Sequence, residues 1–217
     1  MRAWLAAAWL LAWCASPAHA AGLTVHLADS HGRAASNAVV ILTPAQPATA
    51  AAPALPPTTH VIDQKDETFL PYVQLFRPGD AVVFRNSDDT RHHVYSFSPV
   101  RKFDFVLRPG ESSPPLQLDQ AGIAAVGCNI HDHMISYLFV SAAPLIALSD
   151  RRGDASFTGL APGRYTARVW HPQLYPGQPQ PSQTVTITGG GVPQTLSFTL
   201  SLIPDPRMPM DRGRLDY

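Results

Sequence analysis

The sequence predicts an all-β protein, a sandwich or barrel built from short strands. Apolar and polar residues alternate over short stretches, and turn signals rich in Pro, Gly, Asp and Asn separate them at intervals of roughly ten residues. No stretch beyond residue 20 has the periodicity of an amphipathic helix. The 22 prolines in 217 residues also argue against long helices. The chain has room for one large domain or two small ones, and its 45% apolar content is enough to bury a core. Charged residues make up only 15% and the formal net charge is zero, which excludes a broad electrostatic grip on nucleic acid.

Residues 1–20 read as a secretory signal peptide. Arg2 gives a positive start, "AWLAAAWLLAW" an apolar stretch, and "AHA" ending at Ala20 a small-x-small cleavage site. The apolar stretch falls short of the about 20 residues that a membrane-spanning helix needs. Trp13 before Cys14 is too large for a lipid-attachment motif. Export to the periplasm is therefore expected, with no transmembrane segment after cleavage. Cys128 then remains as the one cysteine, in a compartment that oxidises thiols. Such a residue pairs with another chain, reacts, lies inert in the core or binds metal.

Along the mature chain, "LTVHLADSHGRAASNAVVILT" (23–43) alternates around a Gly-containing turn, the grammar of a β-hairpin. The Ala/Pro-rich residues 44–58 read as an extended connector. From residue 59 strand signals return. "AVVFRN" and "HHVYSFS" flank the polar turn "SDDTR", and "KFDFVLRPGESS" is a strand followed by a Pro-Gly turn. "AAVGC" and "ISYLFVSA" are strands on either side of a tight loop. From Pro144 onward, "LIALSDRRGDASFTGLAPGRYTARVWHP" reads as three strands and "SQTVTITGGGVPQTLSFTL" as two more. Residues 202–217 have no periodicity and read as a loosely ordered tail. Met208 and Met210 in that tail, and Trp170-His171 at a strand end, read as plain tail and packing residues.

The tight loop carries the chemistry. Cys128, His131 and Met134 follow the spacing C-x2-H-x2-M, so one loop can deliver three ligands to a point. His92 or His93, just after the "NSDDTR" turn, can supply a fourth. A His2Cys set with a weak axial Met is that of a blue-copper electron-transfer site. Zinc rarely takes a thioether, and calcium and magnesium want oxygen. His133 reads as a surface residue.

Residues 67–140 resemble a cupredoxin, the small blue copper fold of plastocyanin, pseudoazurin and amicyanin. The matching pieces are "FRPGDAVVFRN", "HHVYSFS" and "GCNIHDHM". The doubled histidine and the "GCNIHD" run look most like periplasmic cupredoxin-like proteins labelled methylamine-utilization proteins. The resemblance implies a Greek-key β-sandwich over 59–143 and copper as cofactor, with Cys128, His131 and Met134 as the loop ligands. The family's H-N-V pattern falls on His92-His93-Val94 and selects His92. Strand alternation selects His93 instead if the face shared with Tyr95 and Phe97 is interior. Asn86, at the end of the family's G-x-x-V-x-F-x-N strand, reads either as a tie between the His-bearing segment and the ligand loop or as an ordinary turn residue. The backbone N–H of Asn129 is a candidate donor to the Cys128 sulfur. The loop lacks the proline that short members of the family carry.

"TVHLADSHGRAASNAVVILTP" and "SDRRGDASFTGLAPGRYTARVW" resemble the two halves of a carboxypeptidase regulatory-like, transthyretin-like sandwich. Each half has too few strands to bury a face alone. One discontinuous sandwich, residues 22–58 plus 144–201, with the cupredoxin inserted in a loop is therefore expected; two partial caps flanking it are the alternative. The resemblance implies a one-electron carrier rather than an enzyme, with a dehydrogenase or a cytochrome as redox partner. Two other readings stand beside it. One is a copper-handling protein with a tetragonal site of His92, His93, His131 and His133. The other is an envelope interaction module with incidental metal.

Overall fold

The computed structural model describes residues 21–46, 55–189 and 193–208. The signal-peptide reading of residues 1–20, including Cys14, falls outside them, as do most of the Ala/Pro-rich connector and Met210. The described residues contain strands and no helix. In chain order the strands are β1 (Ala21–Asp29), β2 (Val39–Pro44), β3 (Thr59–Lys65), β4 (Thr68–Leu70), β5 (Val73–Phe76), β6 (Ala81–Asn86), β7 (His92–Ser96) and β8 (Phe103–Leu107). They continue with β9 (Leu116–Gln117), β10 (Gly122–Cys128), β11 (Ile135–Val140), β12 (Ile146–Leu148), β13 (Asp154–Leu160), β14 (Gly163–Trp170), β15 (Ser182–Ile187) and β16 (Gln194–Leu200). The all-β expectation is met.

These strands form four sheets, ordered β13-β1-β16, β12-β2-β14-β15, β5-β11-β10-β7-β8 and β4-β3-β6-β9. The first two draw only on residues 21–44 and 146–200, and they close on a core that includes Val25, Leu27, Val40, Leu42, Val169 and Phe198. The last two draw only on residues 59–140 and close on Ile62, Phe84, Val94, Val126, Cys128 and Leu138. Two sandwiches result, an outer one made from both ends of the described chain and a central one.

The expected hairpin over 23–43 does not form. β1 pairs with β13 and β16, whereas β2 pairs with β12 and β14, in the other sheet. A hairpin begins, with an isolated bridge from Ala28 to Ala34. Asn37 at φ 65° lies beyond it, on the way to the opposite sheet. Both strands carry an apolar face that needs covering, and lying in opposite sheets lets each cover the other.

A third apolar cluster joins the sandwiches. Val39, Ile41, Ile146 and Trp170 of the outer sandwich meet Tyr72, Val73, Tyr137 and Phe139 of the central one. The Trp170 ring sits edge-on to Tyr137 and tilted against Phe139, with centroids 5.6 and 5.2 Å away. β2 and β11 are therefore covered on both faces: Val40 and Leu138 point into the sandwich cores, Val39 and Phe139 into the junction. The described part of the tail, residues 202–208, departs from the loose order expected of it. Leu202 bridges Leu174, Gln173 exchanges hydrogen bonds with Ile203, and the Arg207 guanidinium lies 3.5 Å over the Tyr72 ring.

Ahead of β6, Asp80 organises the start of the central sandwich. Its buried carboxylate accepts hydrogen bonds from the N–H of Arg77 and from the N–H and hydroxyl of Thr58. Burial raises its pKa, but these bonds and the Arg77 charge outweigh burial and hold it below the ordinary value of 3.8. Its stabilising contribution is complete above that value and is lost as pH falls through the lower folded value. In acid titrations followed by circular dichroism, Asp80→Asn is expected to lower stability at neutral pH and to flatten the loss below about pH 4. Leu27→Ala is expected to cost about 2–5 kcal/mol. Hydrogen exchange should then show β1, β2 and β13–β16 losing protection together while β3, β6 and β10 keep theirs, as one discontinuous cooperative unit requires.

Candidate metal centre

The centre lies where β7 and β10 meet. Their antiparallel register places Cys128 opposite Val94 and Gly127 opposite Tyr95. β7 alternates buried and part-exposed, with His92, Val94 and Ser96 facing the core and His93 and Tyr95 facing out. Phe97 continues the outer face and is 74% exposed. The aromatic pair therefore does not mark an interior face. It stacks on the outside, with ring centroids 5.2 Å apart, and Tyr95 closes over Gly127, where an added Cβ would lie 3.1 Å from the ring.

His92 is fully buried, and its Nδ1 lies 3.7 Å from the Cys128 sulfur. Its Nε2 is 2.7 Å from the Asp88 carboxylate. An ionised carboxylate only accepts, so Nε2 carries a proton, and in the neutral ring Nδ1 then presents a lone pair toward the sulfur. His93 turns away, with Nε2 2.6 Å from Asp104.

Residues 129–134 form a closed loop. The Met134 N–H donates to the His131 carbonyl (3.0 Å) and the Cys128 N–H to the Met134 carbonyl (3.2 Å). These bonds hold the loop without the missing proline. The Asn129 N–H donates to the His93 carbonyl at 3.0 Å, extending the β10–β7 ladder, so it is not available to the sulfur as expected. Met134 is buried in the same cluster as Cys128. His131 has a buried Nδ1 with no hydrogen-bond partner, and its ring lies 5.2 Å from that of His92. One donor atom each from His92, Cys128 and His131 fall within 4.8 Å of one another, the one such cluster among the described residues. A thiol sulfur, an imidazole lone pair and a second imidazole nitrogen left unpaired in the interior fit a soft transition metal; the set is that of a copper site.

Two carboxylates lie beside the ring nitrogens, and sequence reasoning missed both. Asp88 accepts from His92 and also from the backbone N–H groups of Asp66 and Glu67. Burial raises its pKa, but the bonds from His92, Glu67 and Asp66 outweigh burial and keep Asp88 below the usual carboxylate range. Asp66 and Glu67 form the two-residue turn between β3 and β4, with φ of 53° and 51°. Positive φ at both positions is the type I′ pattern, in which glycine is preferred second. Glu67 there costs about 1–2 kcal/mol of backbone strain. Its carboxylate oxygens lie 3.5 Å from His131 Nε2 and 3.9 Å from His133 Nε2. The available signals were Asp88 four residues before His92 and the "KDET" turn between two strands. Asn86 is fully buried. Its Nδ2 donates to the carbonyls of Thr90 and Leu107, and its Oδ1 accepts from the Asp88 N–H. It ties the segment leading to His92 to β8, not to the ligand loop.

The central sandwich is cupredoxin-like in fold. Two sheets enclose one core, and the donors gather at the end where β7 and β10 leave it. No family model and no curated protein matches the chain. Solved structures resemble part of the chain. A copper(I) structure of an amicyanin variant is 18% identical, covering 37% of this chain and 80% of its own, with a TM-score of 0.34. A purple cupredoxin from Nitrosopumilus maritimus is 17% identical over 37% of this chain and 98% of its own, with a TM-score of 0.34. A copper-containing nitrite reductase from Thermus scotoductus is 26% identical over 45% of this chain and 25% of its own, with a TM-score of 0.35. No helix among the described residues is long and apolar enough to cross a membrane.

Replacing Asn86 by Ala leaves two carbonyls and the Asp88 N–H without their partner in a buried turn. A loss of about 1–3 kcal/mol in denaturant unfolding is expected.

Proposed function

We propose that this protein is a periplasmic copper-binding electron carrier in which His92, Cys128, His131 and Met134 would hold the metal. The single observation that carries this is the convergence of the His92, Cys128 and His131 donors at one buried point. When bound, copper would supply a one-electron couple, and a donor set of two imidazoles, a thiolate and a thioether suits both of its oxidation states. The chain's own residues hold that set in advance. Asp88 keeps the His92 proton on Nε2, the closed loop sets Cys128 and Met134, and His92, Cys128 and Met134 are buried. Pre-set ligands lower the rearrangement that accompanies each electron, which suits transfer better than catalysis. A redox partner, a dehydrogenase or a cytochrome, follows from this role. The outer sandwich stiffens the copper domain or docks it to that partner, and its carboxypeptidase regulatory-like character belongs to the same proposal.

The copper-handling alternative requires His93 and His133 in the primary set. His93 is engaged by Asp104 on the outer face of β7, and His133 lies beside Glu67 with 43% of its side chain exposed. Both placements favour the carrier.

Absorption of the copper-loaded mature protein tests the reading. A strong thiolate-to-copper band in the visible is expected, abolished in Cys128→Ala, together with reversible one-electron voltammetry. A weak d–d band alone, unchanged in Cys128→Ala, would show that the sulfur is not a ligand.

A further inference from the structure

Glu67 occupies a position whose backbone asks for another residue. Its φ of 51° at the second place of a two-residue turn suits Gly or Asn, and the turn is held open to the site by Asp88. The side chain that this conformation carries reaches across to the ligand loop. One carboxylate oxygen stands 3.5 Å from His131 Nε2 and the other 3.9 Å from His133 Nε2. The first distance is ion-pair reach, longer than a formed hydrogen bond. The Glu67 side chain is 52% exposed, so it is free to rotate and close the gap. The other ring nitrogen, His131 Nδ1, is buried and unpartnered. Asp88 does for His92 what this arrangement does for His131: a carboxylate outside, a lone pair inside.

We propose that Glu67 is a positioning residue for the metal centre. Its carboxylate, shared between His131 and His133, holds the His131 proton on Nε2 and leaves Nδ1 as the inward donor. The β3–β4 turn thereby couples both histidines, since its backbone N–H groups bind the carboxylate that holds His92 while its side chain holds His131. This inference rests on the reading of His131 as a ligand, and it gives His133 a stated place as the second claimant on Glu67.

The test uses the full mature chain with two variants. Glu67→Asn tolerates positive φ but is too short to reach His131, and Glu67→Gln keeps the reach and an acceptor oxygen. Long-range nitrogen–proton NMR on the metal-free protein, at one fixed alkaline pH, reads the His131 tautomer. A single Nε2–H form is expected in the wild type and a mixture of forms in Glu67→Asn, with Glu67→Gln between them, because its amide can accept from Nε2–H or donate to a bare Nε2. Cobalt(II) affinity, followed by thiolate charge-transfer absorption in competition with a chelator, is expected to fall about 10–100-fold in Glu67→Asn and far less in Glu67→Gln. An unchanged tautomer in Glu67→Asn overturns the proposal. So does an unchanged cobalt(II) affinity in Glu67→Asn. Failure of the wild type to show a thiolate band with copper would overturn the carrier reading instead, with the role of Glu67 decided by the metal-free NMR result alone.

Discussion

An imidazole buried beyond the reach of water must have its N–H satisfied by protein, and the central sandwich is arranged around that requirement at His92. The Asp88 carboxylate meets it at 2.7 Å. The same carboxylate receives the N–H groups of the Asp66–Glu67 turn, and the Asp88 backbone is in turn fixed by Asn86. Without that acceptor the buried ring would have either an unpaired donor or the wrong tautomer, each costly in an apolar interior. With it, the lone pair of Nδ1 faces the Cys128 sulfur, and the register of β7 on β10 sets the separation.

The division of labour between sheet and loop follows from this. Strands supply the two donors that have to be placed to a fraction of an ångström, because ladder hydrogen bonds on both sides fix β7 between β10 and β8. The loop supplies His131 and Met134 from a chain closed by two backbone bonds. A neighbouring turn brings Glu67 beside that loop, 3.5 Å from His131 Nε2. A strained residue is tolerated at Glu67 because Asp88 already holds both N–H groups of that turn.

Much of this was legible in the sequence, for identifiable reasons. The ligand loop announced itself because its donors are close in the chain and chemically unusual together. The choice between His92 and His93 was not legible from alternation, since Tyr95 and Phe97 are large but stack on the outside. The hairpin expected over 23–43 failed because alternation reports which face a strand buries, not which strand lies beside it. "VVIL" in β2 and "ISYLFV" in β11 did carry a signal that was not used. Near-continuous apolar runs mark strands covered on both faces, and these two lie at the junction of the sandwiches. Asp88 and Glu67 were hidden because their partners are reached through space, and single carboxylates in polar turns are common.

The discontinuous outer sandwich has a consequence for the order in which the protein is made. β1 finds its in-sheet neighbours only in β13 and β16, so its edges lack their strand partners until synthesis has passed residue 154 on one side and residue 194 on the other. The central sandwich draws on nothing beyond residue 140 and can close much earlier. The central sandwich is thus placed to fold first, on a nascent chain whose opening strand is still waiting, and that waiting strand is where premature pairing between copies would begin.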